Sequence, residues 1–243
     1  MDNKGNIVNL FIPCQMDLFQ AGTAQSARAV LESLGLHCYY QSDQTCCGRC
    51  FFMQGDVNHA SALAFRITDE NDNRIPFIVP DCACAGFMRK YYSNLLQNTG
   101  LPNNVNQFRQ HVYELCDFIV NVKHVEKLNN TFNHQVFYFK SCSARNLYPQ
   151  NDAPETLLQN TNGLTLLTDD SIRGCCGANG RFSMENPAMA EVLTGEIIQK
   201  IIETGAEYVT STDIHCLQQL DAYITAHNVC LEVIHIADIL KGE

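Results

Sequence analysis

Thirteen of the 243 residues are cysteines, and two cysteine-bearing stretches nearly coincide: QTCCG, with Cys46, Cys47 and Gly48, and RGCCG, with Cys175, Cys176 and Gly177. Adjacent cysteines make a poor structural disulfide, because the eight-membered ring strains the intervening peptide. Neighbouring thiolates can instead hold a soft metal, or reach two metal atoms of one cluster. Further cysteines complete a register. Cys14 precedes the first pair by 31 intervening residues and Cys142 precedes the second by 32; Cys84 follows the first after 36 and Cys216 follows the second after 39. Three matched spacings make an internal repeat. An aspartate recurs with them, Asp81 before Cys84 and Asp213 before Cys216.

The elements that must position these residues alternate between strand and helix. NIVNLFI is an apolar, β-branched run that stops at Pro13, LHCYY leads into the first pair, and PFIVP stops at Asp81. QVFYFK, LTLLT and AEYVTST repeat those roles before Cys142, the second pair and Asp213. Helical spacing marks residues 21–34, DVNHASALAFRI, CAGFMRKYYSNLL and FRQHVYELCDFIVN in the first half. In the second half it marks PAMAEVLTGEIIQKIIETG, with Pro187 suited to the first turn and Gly205 to the end, and DIHCLQQLDAYITAH; CLEVIHI and ADIL finish as strand and helix. The expectation is an α/β protein of two pseudo-symmetric, Rossmann-like halves, residues 1–128 and 129–243, with mostly parallel sheets.

In such sheets ligands sit at the carboxyl ends of strands, where all eight repeated cysteines fall. Cys14, Cys46, Cys47 and Cys84 in one half, and Cys142, Cys175, Cys176 and Cys216 in the other, are therefore the expected metal or cluster ligands. Four thiolates converging in each half suit a soft metal or an iron–sulfur cluster, one per half, with tetrahedral zinc an alternative in one of them. Gly48 and Gly177 would let each loop turn tightly and bring backbone N–H groups to sulfur. Cys82, Asp81 and Asp213 are auxiliary ligand candidates. Cys50, which forms a C-x-x-C with Cys47, reads as an auxiliary ligand, a redox partner or a bystander. Cys38, Cys116 and Cys230 lie in apolar patterns and read as core residues. His215 reads as a solvated loop histidine, and Asp152, Asp169 and Asp170 as cap and turn residues. Arg49, Arg145, Arg173 and Arg181 flank the cysteine loops, either to neutralise a cluster or steer an anion, or as ordinary surface charge.

Composition removes other classes. A net charge of −10, from 16 basic against 26 acidic residues, opposes a nucleic-acid surface and an anionic membrane. No apolar run reaches the length of a membrane span, and the N-terminus lacks a signal-peptide pattern, so a cytoplasmic location is expected. In a reducing compartment thirteen cysteines imply ligands or redox thiols rather than disulfides. There is no P-loop and no G-x-G-x-x-G, so no nucleotide is implied.

The stretches NLFIPCQMDLF, QTCCG, CCGANGRFSMENP and DIHCLQQLDAYI resemble the CCG-domain (cysteine-rich) iron–sulfur family, and within it the L-lactate utilisation protein A group. More distant resemblance extends to heterodisulfide reductase and to the iron–sulfur subunits of glycolate oxidase and anaerobic glycerol-3-phosphate dehydrogenase. The resemblance implies 4Fe-4S or unusual non-cubane clusters, and electron transfer within a complex that oxidises L-lactate to pyruvate. Its implied partners are other subunits of that complex, including a ferredoxin-type iron–sulfur subunit, since this chain lacks the C-x-x-C-x-x-C run. The full family motif ends in Cys-x-x-Cys, whereas both copies here read Asp-x-x-Cys, which leaves four thiolates per half instead of five. That loss counts against a thiol or disulfide catalyst. A zinc-binding or thiol-redox module for complex assembly or oxidation sensing is the alternative function.

Overall fold

The computed structural model describes residues 6–72, 74–97, 102–149, 152–178 and 182–242. Two four-stranded sheets are present, and every strand pairing is parallel. The first contains β1 (Ile7–Leu10), β2 (His37–Tyr39), β3 (Phe77–Val79) and β4 (Val112–Glu114), in the order β2-β1-β3-β4. The second contains β5 (Gln135–Tyr138), β6 (Thr165–Leu167), β7 (Tyr208–Ser211) and β8 (Glu232–His235), in the order β6-β5-β7-β8. The orders are the same, so the halves repeat in architecture as well as in cysteine spacing.

Parallel strands need helical crossovers, and these cover both sheet faces with apolar side chains. That is why β3 is buried at all three positions. The helix Ala21–Ser33 buries Ala27, Val30 and Leu31, and ends where Gly35 takes a positive φ of 75°. The helix Pro187–Glu203 buries Ile197, Ile198 and Ile201, with Pro187 in its first turn and Gly205 (φ 80°) just beyond it. Both boundaries agree with the sequence pattern.

One core runs across the two halves: Val8, Leu10 and Ile78 belong to the same buried cluster as Val136, Tyr138, Ile214 and Ile236. Separate cores complete each half, around Phe87, Tyr92 and Phe108 in the first and Ile198, Val209 and Leu220 in the second. The halves therefore meet through apolar packing, and their strand ends face a common seam.

One element differs from expectation. FRQHVYELCDFIVN is not a single helix: the helix Pro102–Gln110 stops, β4 pairs with β3 through Phe77 and Val112, and a helical turn, Leu115–Asp117, follows. Val112 and Leu115 satisfy a helical spacing, but the β-branched and aromatic pair Val112–Tyr113 fills the open edge of β3 instead.

Candidate metal centre

Each repeated cysteine stands at the carboxyl end of a strand. Cys14 and Cys142 open the helices Cys14–Phe19 and Cys142–Asn146 that follow β1 and β5. The two pairs occupy irregular loops after β2 and β6. Cys84 and Cys216 lie in the first turns of the helices Cys82–Leu95 and Ile214–His227, which follow β3 and β7.

The eight side chains gather into two groups of four. In the first, Cys14 Sγ lies 3.7 Å from Cys46 Sγ, and Cys47 Sγ lies 3.3 Å from Cys84 Sγ. In the second, Cys142 hydrogen-bonds with Cys175, and the sulfurs of Cys176 and Cys216 are 2.6 Å apart. All thirteen cysteines are free thiols. Cys47, Cys84, Cys176 and Cys216 are buried, Cys14, Cys46 and Cys142 are half-buried, and Cys175 is exposed. Each group thus runs from the core to the surface.

The glycines shape these loops. Gly48 and Gly177 take φ values of 87° and 80°, in the left-handed region where a Cβ is disfavoured. The turn brings the Gly48 N–H to 3.5 Å from Cys46 Sγ and the Gly177 N–H to 3.4 Å from Cys175 Sγ, each donating to sulfur. Helix side chains anchor the loops from below: Tyr92 donates to the Cys47 carbonyl at 2.8 Å, and Thr194 to the Cys176 carbonyl at 2.9 Å.

These contacts fix where charge resides in the thiol groups. The Cys14 thiol, then the Cys47 thiol and the Gly48 N–H, donate to Cys46 and pull its pKa down to about 3 against the opposing effect of burial. Cys175 is held well below the ordinary thiol value in the same way, first by Cys142 and then by Cys176. Cys84 and Cys216 rise to about 12: hydrogen bonds from Cys47 and Cys176 favour their thiolates, but burial beside Asp81 or Asp213 outweighs them. Without metal, each group concentrates its charge on the first cysteine of its pair.

Asp81 and Asp213 cap the helices that carry the last cysteines, accepting from the N–H of Cys84 at 2.7 Å and of Cys216 at 3.3 Å. Their remaining oxygens are used as well: Asp81 accepts across the halves from the Ile214 N–H at 3.0 Å, and Asp213 accepts within its own half from the Ser141 hydroxyl at 2.9 Å. Asp81, Asp213 and His215 bring ligand-type atoms within 4.8 Å of one another, yet every carboxylate oxygen there already accepts a hydrogen bond. An aspartate directly before a helix is a standard N-cap signal, and that signal was there to read in the sequence. Ser141, fully buried and capping Ala144, is a further residue of the site that cysteine spacing alone does not reveal.

The other candidates divide. Cys82 is buried outside both groups, 3.8 Å from the Ser141 hydroxyl, and Cys50 is half-buried beside the first. Cys116 is a core residue and Cys38 packs at the core's edge. Cys230 is exposed, against expectation, because the chain turns at Asn228 (φ 49°) and β8 begins only at Glu232. His215 also departs from expectation: both ring nitrogens are buried, without a hydrogen-bond partner among the described residues. Arg49 is 8% exposed, Arg145 donates to the Arg173 and Gly174 carbonyls, and Arg173 remains at the surface with Asp170. Arg181 lies outside the described residues. Asp169 accepts from the Ser171 N–H in a turn, and the Asp152 carboxylate pairs with Lys140 rather than capping its helix.

Four sulfurs backed by peptide donors and open toward solvent suit a thiophilic ion or an iron–sulfur cluster, not the oxygen-seeking Mg²⁺ or Ca²⁺. Among the described residues, no helix is long and apolar enough to cross a membrane.

Comparison with known proteins finds the same doubled domain. The cysteine-rich domain model named CCG matches residues 8–89 and 136–221. Lactate utilization protein A from Bacillus licheniformis is 30% identical over 97% of this chain and 99% of its own length. The protein of that name from Anoxybacillus flavithermus is 30% identical over 96% and 98%. A crystal structure of a hypothetical protein from Helicobacter pylori shares the fold, with a TM-score of 0.63 at 15% identity, and this chain spans half of it. With both copies of the domain matched, and a sulfur group in each, the chain belongs to the CCG cysteine-rich domain family.

Proposed function

We propose that this chain is the iron–sulfur electron-transfer subunit of a cytoplasmic complex that oxidises L-lactate, a 2-hydroxy acid, to pyruvate. The observation that carries this reading is the pair of four-sulfur groups, each built on a glycine turn that aims a backbone N–H at sulfur. Full-length likeness to proteins named for lactate utilization supports the substrate assignment. Cys14, Cys46, Cys47 and Cys84 would hold one cluster, and Cys142, Cys175, Cys176 and Cys216 the other. A bound cluster supplies one-electron transfer. The chain's own residues orient the sulfurs through the Asp81 and Asp213 caps, and exclude water from the inner member of each pair. Oxidising lactate releases two electrons and two protons, and the subunit that takes them from substrate is a partner. The narrow cavity beside Cys142 and Cys216 has a volume of about 10 Å³, room for one water and not for lactate. A ferredoxin-type iron–sulfur subunit is the partner for electron exchange.

The test is anaerobic capture of the complex through this chain, followed by addition of L-lactate. Growth of a reduced-cluster EPR signal together with pyruvate is the expected result. An iron-bearing complex that stays oxidised in lactate would overturn the substrate assignment.

One observation favours a second reading for the first half. Thiolates on a single tetrahedral zinc, each about 2.3 Å from the ion, stand roughly 3.8 Å apart, close to the 3.7 Å between Cys14 and Cys46. Stoichiometric zinc without sulfide would select a zinc module for assembly or oxidation sensing.

A further inference from the structure

The two halves match at the eight repeated cysteines, at Asp81 and Asp213, and at Gly48 and Gly177, but among the positions that break the symmetry two carry a large polar side chain in one half and alanine in the other. Cys46-Cys47-Gly48-Arg49 aligns with Cys175-Cys176-Gly177-Ala178, and Asp81-Cys82-Ala83-Cys84 with Asp213-Ile214-His215-Cys216. Arg49 therefore stands against Ala178, and His215 against Ala83. Both larger side chains go to the seam. Arg49 starts a first-half helix, Arg49–Met53, yet it lines one narrow cavity with Cys142, Cys175, Cys176 and Cys216 of the second half, beside Asp213 and His215. Only 8% of it is exposed.

What gathers at this seam is charge. Asp81 is 0% exposed and Asp213 2%, two carboxylates sealed from water. Such groups are tolerated only beside compensating charge and hydrogen bonds. A guanidinium does not deprotonate in proteins, so Arg49 is a permanent cation where four second-half thiolates converge. Burial works against that charge, but Asp213, then Cys84, Asp81 and Cys47, outweigh it and keep the guanidinium pKa above its usual value.

We propose that Arg49 is a positioning residue shared by both sulfur groups: from the first-half loop it balances Asp81 and Asp213 and sets the reduction potential of the centre held by Cys142, Cys175, Cys176 and Cys216. This rests on the cluster reading above. Reduction adds one electron to an already negative centre, and a fixed cation in a low-dielectric seam favours that reduced state. Its charge also reaches Cys84 and Cys47 of the first half, and the alanine at position 178 supplies no second cation to the seam.

The test is an EPR-monitored dithionite titration of anaerobically isolated, iron-loaded wild type, Arg49→Gln, Arg49→Lys and Asp213→Asn. Removing the cation in Arg49→Gln lowers the reduced-to-oxidised ratio of one centre about tenfold at fixed poise, a shift of ~59 mV for one electron. Arg49→Lys, which keeps the charge, stays nearer the wild type. Asp213→Asn removes a negative charge at the same seam and shifts the potential the opposite way. Unchanged potentials in Arg49→Gln, with iron content intact, would overturn the proposal. If Arg49→Gln does not hold iron, Asp213→Asn decides: no positive shift overturns it. Wild-type protein without iron would instead remove the cluster reading itself, so the two failures are distinguishable.

Discussion

Asp81 holds two cysteine-bearing helices at once: one carboxylate oxygen accepts from the Cys84 N–H at 2.7 Å, and the other from the Ile214 N–H at 3.0 Å. The first helix belongs to its own half and the second to the other. A single buried side chain therefore ties the geometry of one sulfur group to that of its counterpart. Replacing it leaves two buried donors without acceptors, each costing about 1–3 kcal/mol. Asp81→Ala should destabilise the protein by about 2–4 kcal/mol in urea unfolding. Asp56 caps the helix Val57–Glu70 at the surface, and Asp56→Ala should cost clearly less, because water can satisfy the freed N–H. Equal losses for the two variants would contradict the bridging role.

Gly177 packs so closely against a helix that an added Cβ would lie 3.0 Å from Ala190 Cα, with the backbone at φ 80°. Gly177→Ala should cost about 1–3 kcal/mol and loosen metal binding in the second half. Gly22 is the control, because an added Cβ there meets nothing within 4 Å and its helix favours alanine. Gly22→Ala should be neutral or stabilising by up to about 1 kcal/mol. Thermal unfolding and metal analysis of both variants provide the check.

His235 sets a pH dependence. It is 3% exposed, and its Nδ1 accepts from the Ala237 N–H at 3.1 Å. Burial lowers its pKa, against the raising effect of Asp238 and Asp81. The unfolded imidazole takes a proton near pH 6.5 while the folded one resists it. Its contribution to stability is thus complete above about pH 6.5 and is lost as pH falls below that value. His235→Asn keeps a capping acceptor and removes the proton site. Its unfolding free energy should fall less steeply between pH 7 and pH 5 than that of the wild type.

The reactive thiols have a definite order. In metal-free protein, Cys46 and Cys175 are the thiolates and are partly accessible, and Cys230 is exposed. Brief alkylation followed by peptide mass spectrometry should label these three first. Cys82 and Cys116, buried and with pKa values pushed well up by burial, should react only on unfolding. Metal loading should protect Cys46 and Cys175 and leave Cys230 reactive. Labelling of Cys46 unaffected by loading would contradict its role as a ligand.

The repeated cysteine spacing carried the site to the sequence level, because each thiol follows a strand and strands in a parallel sheet end together. Most helices were legible for a similar reason: Pro187, Gly205 and Gly35 mark their own boundaries. β4 was not, since Val112, Tyr113 and Glu114 fit a helical spacing and only the open edge of β3 makes them a strand. The second bond of Asp81 joins residues 133 positions apart, so no local pattern encodes it. The position of His215 likewise depends on how the halves meet. Cys230 misled because an apolar neighbourhood in sequence became an exposed turn before β8.

The most direct measurement is iron, acid-labile sulfide and zinc per chain in protein isolated without oxygen, for wild type and for Cys175→Ser/Cys176→Ser. Iron and sulfide are expected in the wild type, with loss of about half in the double variant while Cys14, Cys46, Cys47 and Cys84 keep theirs. Wild-type protein that carries neither iron nor sulfide under those conditions would contradict it.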